Sequence, residues 1–395
     1  LLDSSVTNFS SNLPLVIIDT VGQTIPDGTK IPSYAIFIDT NTPSGRTLLT
    51  SSNDYLGQIG IALHGSSSLG FPKKSFAIEL ENGQSVDVRL LGQPAGSDWL
   101  LYPSYDDKTF LNNVLTHALF GALGHYSVRC KYTELFIRST PGKLTAGDYR
   151  GIYILMERIR VDKNRLDLAS LDPTDNTPPA VTGGYLFSKD KINPGDLTFT
   201  TSSGATLIAL YPKADKITQP QFDYLTGYIN AFEAALYGPN WRDPVNGYQS
   251  FIDVDSFVDF HWMVEYAKNI DGVRISNYLH KDRNGRLTAG PIWDWDLSWG
   301  NADYLEGGKT NGWYYPQMSD GDDLWLRRLR TDPDFYQKII DRWGALRLNV
   351  FNPTNLLTQA DQITNLLWEA QARDFATWPR LGSYVWPNPN GAADY

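Results

Sequence analysis

The sequence predicts an α+β protein in which a β-rich first half is followed by a mainly helical second half. Short runs rich in branched residues, such as LPLVIIDT and SYAIFIDT, are typical of strands and dominate up to about residue 215. From about Gln219 onward, apolar residues recur with helical spacing in several long segments. With 395 residues, 42% of them hydrophobic, the chain is long enough for one large core or for two lobes.

The first half contains predicted strands and one helix. After the two strands named above, YLGQIGIALHG and KKSFAIELEN flank a Ser/Gly-rich turn, and DDKTFLNNVLTHALFGALG has the apolar stripe of a helix. Two further strand pairs are predicted, KYTELFIRST with YRGIYILMERIR and GGYLFSKDK with ATLIALYPK. We therefore expect residues 1–11 to form a leader or linker and residues 12–215 to form an N-terminal β-rich lobe.

The second half contains four predicted helices: QFDYLTGYINAFEAALYG, VDSFVDFHWMVEYAKN, DPDFYQKIIDRWGALRLNVF and TNLLTQADQITNLLWEAQARDF. We expect residues 216–395 to form a helical C-terminal lobe. A β-rich lobe next to a helical lobe predicts a two-lobed architecture with a binding cleft between them.

Composition narrows the range of functions. The chain has 44 acidic and 34 basic side chains and a formal charge of −10, which disfavours nucleic-acid binding and requires a cation wherever phosphate is handled. Cys130 is the single cysteine, so no intrachain disulfide can form, and its setting predicts a buried strand thiol. No apolar run is long enough to span a membrane. The polar, acidic composition is typical of bacterial exported proteins, so we expect a secreted or cell-surface chain whose signal peptide has been removed, or a trimmed chain.

A hairpin is predicted between ISNYLHKD and RLTAGPIWDW. The Asn284-Gly285 dipeptide between them is a strong signal for a two-residue turn. If these two residues are the centre of the turn, Arg283 lies opposite Arg286, and this register can be continued along both strands.

The predicted register brings potential metal ligands together. It places Asn277 opposite Ile292, so that Asn277 and Asp294 share one face as diagonal neighbours, with Cα atoms about 7–8 Å apart. Both side chains could then touch one ion. Asp296 has the same parity but lies one pair further away, where it orients the turn or binds a second ion.

The order of polar residues in this region is that of a protein-kinase catalytic loop. The helix VDSFVDFHWMVEYAKN is expected to end near Asn269 and to deliver Asp271 into a loop, followed by Asn277, the hairpin and Asp294. In kinases, the first Asp orients the substrate hydroxyl, while the Asn and the second Asp hold Mg²⁺ on the phosphates. The spacing from Asp271 to Asn277 is one residue longer than in ordinary kinases. Asp and Asn are also common turn residues, so a purely structural role stays open.

The segment LHGSSSLGFPKKSFAIELE offers a complementary part. This segment predicts a strand, a Gly/Ser-rich turn and a second strand preceded by Lys73 and Lys74. Kinases use such a flexible loop to cover the phosphates and a lysine to bind them. The alternative interpretation is a surface hairpin with solvated lysines.

Together these segments resemble the CotH family of spore-coat-type and secreted proteins, which have an atypical protein-kinase fold. The resemblance extends from about Asn12 to Trp386. It rests on the following blocks in order: SNLPLVIIDT, LHGSSSLGFPKKSFAIELE, SDWLLYPSYDDKTFLNNVL, RGIYILMERI, TGGYLFSKD, KNIDGVRISNYLHKD, GPIWDWDLSWGN, DDLWLRRLRTDPDF and RWGALR. It implies a two-lobed, kinase-like fold.

The resemblance also implies roles for individual residues. These are Asp271 as catalytic aspartate, Asn277 and Asp294 as metal ligands, Lys74 as phosphate-binding lysine, and Ser66 and Ser67 in the nucleotide loop. Glu157 is either in the strand that leads to the lobe connection or the carboxylate partner of the lysine. His64 and Asn112 stand where the family more often has Arg, and the loss of a guanidinium weakens phosphate binding.

The leading hypothesis is a CotH-like kinase that transfers the γ-phosphoryl group of ATP, with Mg²⁺ or Mn²⁺, to Ser or Thr of an exported or surface protein. The alternative is a weak or inactive CotH-like binding module or adhesin that recognises a protein or glycan through exposed aromatic residues. A third hypothesis, a glycoside-active enzyme, would use Asp294 or Asp296 with Glu157. Trp293, Trp295 and Trp299 could form a sugar platform, but core packing is the favoured interpretation.

Overall fold

The structure, a computed structural model, describes residues 1–40, 44–81, 86–319, 321–388 and 395. Its sheets and helices confirm the predicted α+β class. The chain divides into two compact units, residues 1–114, 128–158 and 358–395 in the first and residues 115–127 and 159–357 in the second. The predicted boundary after residue 215 falls inside the second unit. The C-terminal segment from Thr358 returns to the first unit.

The first unit is built on a closed seven-stranded barrel with the strand order β2-β3-β5-β6-β7-β9-β8. Its strands are β2 Leu15–Asp19, β3 Ile31–Ile38, β5 Tyr55–His64, β6 Ser75–Leu80, β7 Asp98–Tyr102, β8 Cys130–Arg138 and β9 Tyr149–Glu157. Strands β2 and β8 run parallel and close the barrel, and the other neighbours are antiparallel. Branched and aromatic side chains such as Ile18, Phe37, Ile78 and Leu135 fill the interior.

Residues 1–11 pack on the barrel. Strand β1 (Ser10–Ser11) pairs with β4 (Thr47–Leu48) in a small sheet of two strands. Val6 is buried against Phe136, Leu144 and Tyr149. The segment predicted as a leader or linker is therefore part of the first unit.

The second unit contains a five-stranded antiparallel sheet with the order β11-β12-β10-β13-β14. Its strands are β10 Tyr185–Lys189, β11 Leu197–Thr200, β12 Thr206–Tyr211, β13 Asn277–Lys281 and β14 Leu287–Ala289. The helices of the chain are α1 Asn112–Ala122, α2 Gln219–Tyr237, α3 Val254–Ala267, α4 Leu326–Leu329, α5 Pro333–Leu346 and α6 Pro353–Thr377. The predicted helices are confirmed, and apolar residues of α1, α2, α3 and α5 join the sheet in one large core.

The predicted register of the β13–β14 hairpin is wrong by one residue. Lys281 pairs with Leu287 and Leu279 pairs with Ala289, so five residues, 282–286, separate the two strands. Asn284 adopts a left-handed conformation with φ 55°, as its short polar side chain permits. Its backbone N–H donates to Thr182 Oγ1 at 2.9 Å, so a tertiary contact holds the longer turn.

The segment GPIWDW does not continue the strand. Gly290 still donates to the Tyr278 carbonyl oxygen at 2.9 Å, but its φ of 102° turns the chain away. Pro291 follows and has no N–H to donate to the ladder. Asn277 therefore has no partner at Ile292 in this hairpin, and the predicted diagonal pairing of Asn277 with Asp294 does not form within it.

A buried ionic cluster ties α6 to the barrel within the first unit. Lys73 Nζ donates to Asp374 Oδ2 at 2.5 Å and to the carbonyl oxygens of Pro103 at 3.0 Å and Ile152 at 2.6 Å. Arg380 Nη1 donates to Asp374 Oδ1 at 2.7 Å. The three charged side chains are almost fully inaccessible to solvent. Burial lowers the pKa of Lys73 to about 8, and the Asp374 charge opposes this shift.

Because Asp374 compensates two buried cations, Asp374→Ala should destabilise the protein by about 3–5 kcal/mol. Urea unfolding followed by circular dichroism measures this loss. Asp361→Ala on the same helix is the matched control, since Asp361 is exposed and its loss should cost little. Equal effects of the two substitutions would contradict a structural role for the cluster.

Candidate functional site

Asp271 lies in a tight turn after α3, as predicted. The helix is capped by Lys268, whose φ of 48° is left-handed. Asn269 Oδ1 accepts the Asp271 N–H at 3.0 Å, and the Asp271 carbonyl accepts the N–H groups of Arg274 and Ile275 at 2.8 and 3.0 Å. The backbone of Asp271 is thus held on both sides.

The Asp271 carboxylate has a cationic neighbour in Arg274. Arg274 Nη1 lies 3.4 Å from Asp271 Oδ1, and Arg274 Nε lies 3.6 Å from Asp322 Oδ1. Burial raises the pKa of Asp271, the Arg274 charge opposes this shift, and the Asp296 charge adds to it. Arg274 therefore links the Asp271 carboxylate to the Asp322 carboxylate.

Asp294 and Asp296 lie in the irregular segment after Pro291. Asp294 has a left-handed φ of 64°, while Asp296 Oδ1 accepts the Leu297 N–H at 3.1 Å. Asp294 is exposed as a residue, but neighbouring protein atoms limit the hydration of its carboxyl, and this raises its pKa. The negative charges of Asp296, Asp271 and Asp190 shift the pKa in the same direction. These four aspartates form one electrostatic group, which we call the acidic group.

Asp190 is the member of the acidic group that sequence reasoning missed. It follows Lys189, the last residue of β10, and Lys189 pairs with Asn277 at the start of β13. This ladder places Asn277 and Asp190 at the same end of the sheet, although they are distant in sequence. The block TGGYLFSKD contained Asp190, but strand periodicity alone does not reveal which strand is its neighbour.

Asn277 carries an oxygen atom suited to a cation. The residue is buried, and among the described residues no hydrogen-bond donor reaches its side-chain oxygen Oδ1. An uncompensated buried carbonyl oxygen is unfavourable, and a bound cation would satisfy it. The acidic group and Asn277 supply only hard oxygen donors, which fit Mg²⁺ or Mn²⁺.

Within the described part of the chain, no set of three or more His, Cys, Asp or Glu side chains is close enough to hold one metal ion. Mg²⁺ usually keeps several water molecules and is bound through one or two carboxylates together with substrate phosphates. A site with Asn277 and one or two of the aspartates matches that requirement.

Left-handed backbone conformations of residues other than glycine cluster at this site. They occur at Ser276, Asp294 and Trp299, with φ values of 52°, 64° and 55°. Such conformations cost of order 1–3 kcal/mol each when they are strained, and they are frequent at functional sites. Because the chain turns at these residues, extending a regular hairpin along the sequence gives them the wrong positions.

The tryptophans of this segment contribute to packing. Trp295 is buried in the core of the second unit, and Trp299 packs against that core while its Nε1 donates to Thr116 Oγ1 at 2.8 Å. Trp293 is half-buried. The preferred interpretation is therefore confirmed for Trp295 and Trp299.

In the first unit, the Gly/Ser-rich turn connects β5 and β6 as predicted. Ser66 precedes a short 3-10 helix that spans Ser67–Gly70. Lys74 Nζ donates to the Leu69 carbonyl oxygen of this turn at 2.5 Å and remains partly exposed. Lys73, by contrast, is buried in the cluster with Asp374. Of the two lysines, Lys74 is the one with its ammonium group on the turn.

Glu157 forms an ion pair, and burial keeps His64 neutral. Glu157 ends β9, and its carboxylate binds the Arg129 guanidinium at 2.8 and 2.9 Å. Glu157 thus pairs with Arg129, while Lys74 contacts the Leu69 carbonyl oxygen. Burial lowers the pKa of His64 to about 4, and the Arg158 charge adds to this shift, so His64 is neutral at physiological pH.

A protein-family model described as CotH kinase protein matches residues 61–392. The chain belongs to the CotH family. A search of the curated proteins finds no match to the chain. The CotH match includes the acidic group, Asn277, Lys74 and Glu157. It supports a CotH-like kinase as the broad functional class.

None of the helices in the described ranges combines the length and the apolar character needed to cross a bilayer.

In buffer free of divalent cations, Asp294→Asn should stabilise the protein at neutral pH and raise its melting temperature by a few degrees. Folding raises the pKa of the Asp294 carboxyl, so at low pH this group is protonated in both the folded and the unfolded chain and does not affect stability. As pH rises above the unfolded-state pKa and through the folded-state pKa, ionisation is more costly in the folded protein, which loses stability. The difference between variant and wild type should therefore grow from pH 4 to pH 8.

Differential scanning calorimetry across this pH range measures the effect. Asp303→Asn is the control, since Asp303 is an exposed aspartate from the same part of the chain. A destabilised Asp294→Asn variant at neutral pH, or a gain independent of pH, would contradict mutual repulsion in the acidic group.

Proposed function

We propose that this CotH-family protein is a kinase that transfers the γ-phosphoryl group of ATP to Ser or Thr of an exported or surface protein. The observation that carries the proposal is the acidic group: the Asp296 charge raises the cost of ionising Asp271, and the Asp271 and Asp296 charges both raise the cost of ionising Asp294. In a protein of net charge −10, such a group is suited to cations and opposed to a bare polyphosphate.

Metal binding is proposed at Asn277 and Asp294, with Asp296 as a second or alternative ligand. Bound Mg²⁺ or Mn²⁺ would supply positive charge that offsets the phosphate oxygens of ATP. The ionised form of Asp294 is then favoured, and the buried Asn277 Oδ1 gains a partner. A bound cation would thus offset the repulsion between the aspartates and the cost of the strained backbone conformation at Asp294.

Asp271 is proposed to orient the acceptor hydroxyl and to accept its proton. Its backbone is fixed by hydrogen bonds and its carboxylate is held by Arg274, which limits rotation. A pKa raised by burial improves a carboxylate as a base near neutral pH. Arg274 lies beside the carboxylate and favours its ionised form, so Asp271 remains able to accept the proton.

For the nucleotide, we propose that Lys74 contacts phosphate oxygens and that Ser66 and Ser67 belong to the loop that covers them. Lys74 keeps a partly exposed ammonium group on this turn, where it donates to a single carbonyl oxygen. Glu157 is proposed to contribute indirectly through its ion pair with Arg129. A two-lobed, kinase-like arrangement and secretion of the chain are parts of the same proposal.

The direct test is incubation of the purified protein with labelled ATP, Mg²⁺ or Mn²⁺, and a panel of Ser/Thr proteins or peptides. Wild type should transfer label to itself or to an acceptor, and Asp271→Asn should reduce the rate by about 10²–10⁴-fold. Asp294→Asn should also lose metal-dependent nucleotide binding, measured by calorimetry.

Asp223→Asn, an exposed aspartate on α2, is the control and should keep full activity. Transfer that survives Asp271→Asn would remove that residue from the mechanism. A wild-type protein that neither transfers label nor binds nucleotide would overturn the kinase proposal.

One observation favours a second candidate, a weak or inactive CotH-like module that binds a protein or glycan. His64 is neutral at physiological pH and stands at the position where the resemblance predicts a guanidinium, so it contributes no positive charge toward phosphate. His64→Arg distinguishes the two. Restored or increased nucleotide affinity indicates a weakened kinase, whereas glycan or protein binding without any nucleotide response favours the module.

A further inference from the structure

The second unit contains a cavity of about 660 Å³ at the end of β10. Its lining combines three cationic side chains with the hydroxyl groups of serine and threonine residues, from Lys189, Arg327, Arg328, Ser203, Thr206 and Thr331. We propose that this cavity binds an anionic side chain, a carboxylate or a phosphate, of the acceptor protein. The proposal rests on the kinase function proposed above and names the class of acceptor.

The charge of the lining is opposite to that of the whole protein. The chain has a net charge of −10, yet the described residues that line the cavity include three cations and no carboxylate. A local concentration of positive charge in an acidic protein attracts an anion at short range. Arginine is suited to this task because its guanidinium binds carboxylate or phosphate through two parallel hydrogen bonds.

Two of the three cations, Lys189 and Arg328, are held in place by backbone carbonyl oxygens and an aromatic ring. Arg328 Nε donates to the Leu236 carbonyl oxygen at 3.3 Å, and its guanidinium lies 3.9 Å from the centre of the Trp241 ring. Lys189 Nζ donates to the carbonyl oxygens of Gly321 and Asp322 at 2.6 and 2.8 Å. These contacts orient both side chains and retain their positive charge.

Two buried carboxylates next to residues of the lining, Glu233 and Asp323, are paired with other groups of the protein. Glu233 is buried behind Ser203 and accepts the Ser203 N–H and hydroxyl, both at 2.7 Å, and Trp325 Nε1 at 2.8 Å. Asp323 is buried and forms an ion pair with Arg330. Neither carboxylate is part of the cavity lining, and the hydrogen bonds of Glu233 are committed to Ser203 and Trp325.

A short chain of contacts connects the cavity to the proposed catalytic aspartate. Lys189 contacts the Asp322 backbone, Asp322 contacts Arg274, and Arg274 contacts Asp271. Lys189 is also the β-sheet partner of Asn277. An acceptor anchored in the cavity by an acidic residue would be held near the group that orients its hydroxyl.

The size of the cavity fits a side chain with part of its backbone. Sites of about 300–1,000 Å³ accommodate small organic ligands, and Tyr237 and Leu324 add apolar surface to this one. An extended acceptor segment with one acidic side chain satisfies both the cationic and the apolar parts of the lining.

The test uses fluorescent peptides of one length with a single serine, flanked by glutamate, phosphoserine or glutamine residues. Fluorescence anisotropy without metal or nucleotide measures binding to the full chain. The glutamate or phosphoserine peptide should bind at least about tenfold more tightly than the glutamine peptide. Arg328→Gln should remove this preference, and Arg328→Lys should retain part of it. A stronger effect of phosphoserine than of glutamate would identify phosphate as the preferred group.

Arg347→Gln is the matched control, because Arg347 is an exposed arginine at the end of α5 and is not part of the cavity lining. Thermal unfolding of each variant verifies that it is folded. Equal binding of the three peptides, or a preference unchanged in folded Arg328→Gln, overturns the proposal. Binding of acidic peptides without any phosphoryl transfer from ATP would retain the cavity as an anion site and reject the kinase function.

Discussion

Five residues of β10 pair with five of β13, and the candidate site depends on this ladder. The pairing sets Lys189 opposite Asn277, and the chain leaves β10 at Asp190 at the same end of the sheet. Asp190 in turn acts on both Asp271 and Asp294. A shift of one residue in this register would move every side chain of β13 to the other face of the sheet, and Asn277 would no longer lie where it does.

Without a bound cation, the acidic group lowers the stability of the folded protein. Burial and like charges both oppose ionisation of Asp294, and Asp294 adopts a left-handed backbone conformation. Proteins tolerate such unfavourable features where function requires them. A divalent cation reverses the sign of these interactions, since carboxylates that repel one another become ligands of a common charge. In a purely structural turn, the same repulsion between aspartates would lower stability with no compensating interaction.

Much of the fold could be predicted from the sequence. The long helices and six of the seven barrel strands follow from period and composition, whereas β7 was not predicted, and the α3 helix ends within two residues of the predicted position. Closure of the barrel could not be predicted, because it depends on parallel pairing of β2 with β8, which are distant in sequence. The return of α6 to the first unit depends on Asp374, whose buried partners Lys73 and Arg380 have no local signal.

The candidate site was predicted in part. Order and resemblance selected Asp271, Asn277, Asp294 and Asp296, and the structure brings Asp271, Asp294 and Asp296 into one electrostatic group. The hairpin argument for Asn277 was wrong, since contacts of the turn with Thr182 and the close approach of Gly183 to the Asp282–Arg283 peptide override the local preference of Asn-Gly. The cationic cavity could not be predicted, because it gathers residues from four separate parts of the chain.

The position of the cation tests the central claim most directly. Crystals of the protein grown with a non-hydrolysable ATP analogue and Mn²⁺ would locate the ion by its anomalous scattering. We predict Mn²⁺ bonded to Asn277 Oδ1 and to the Asp294 carboxylate, at about the 2.0–2.2 Å typical of small divalent cations on oxygen ligands, and bridged to the analogue's phosphates. Nucleotide and ion bound elsewhere, with neither residue as a ligand, would contradict the account.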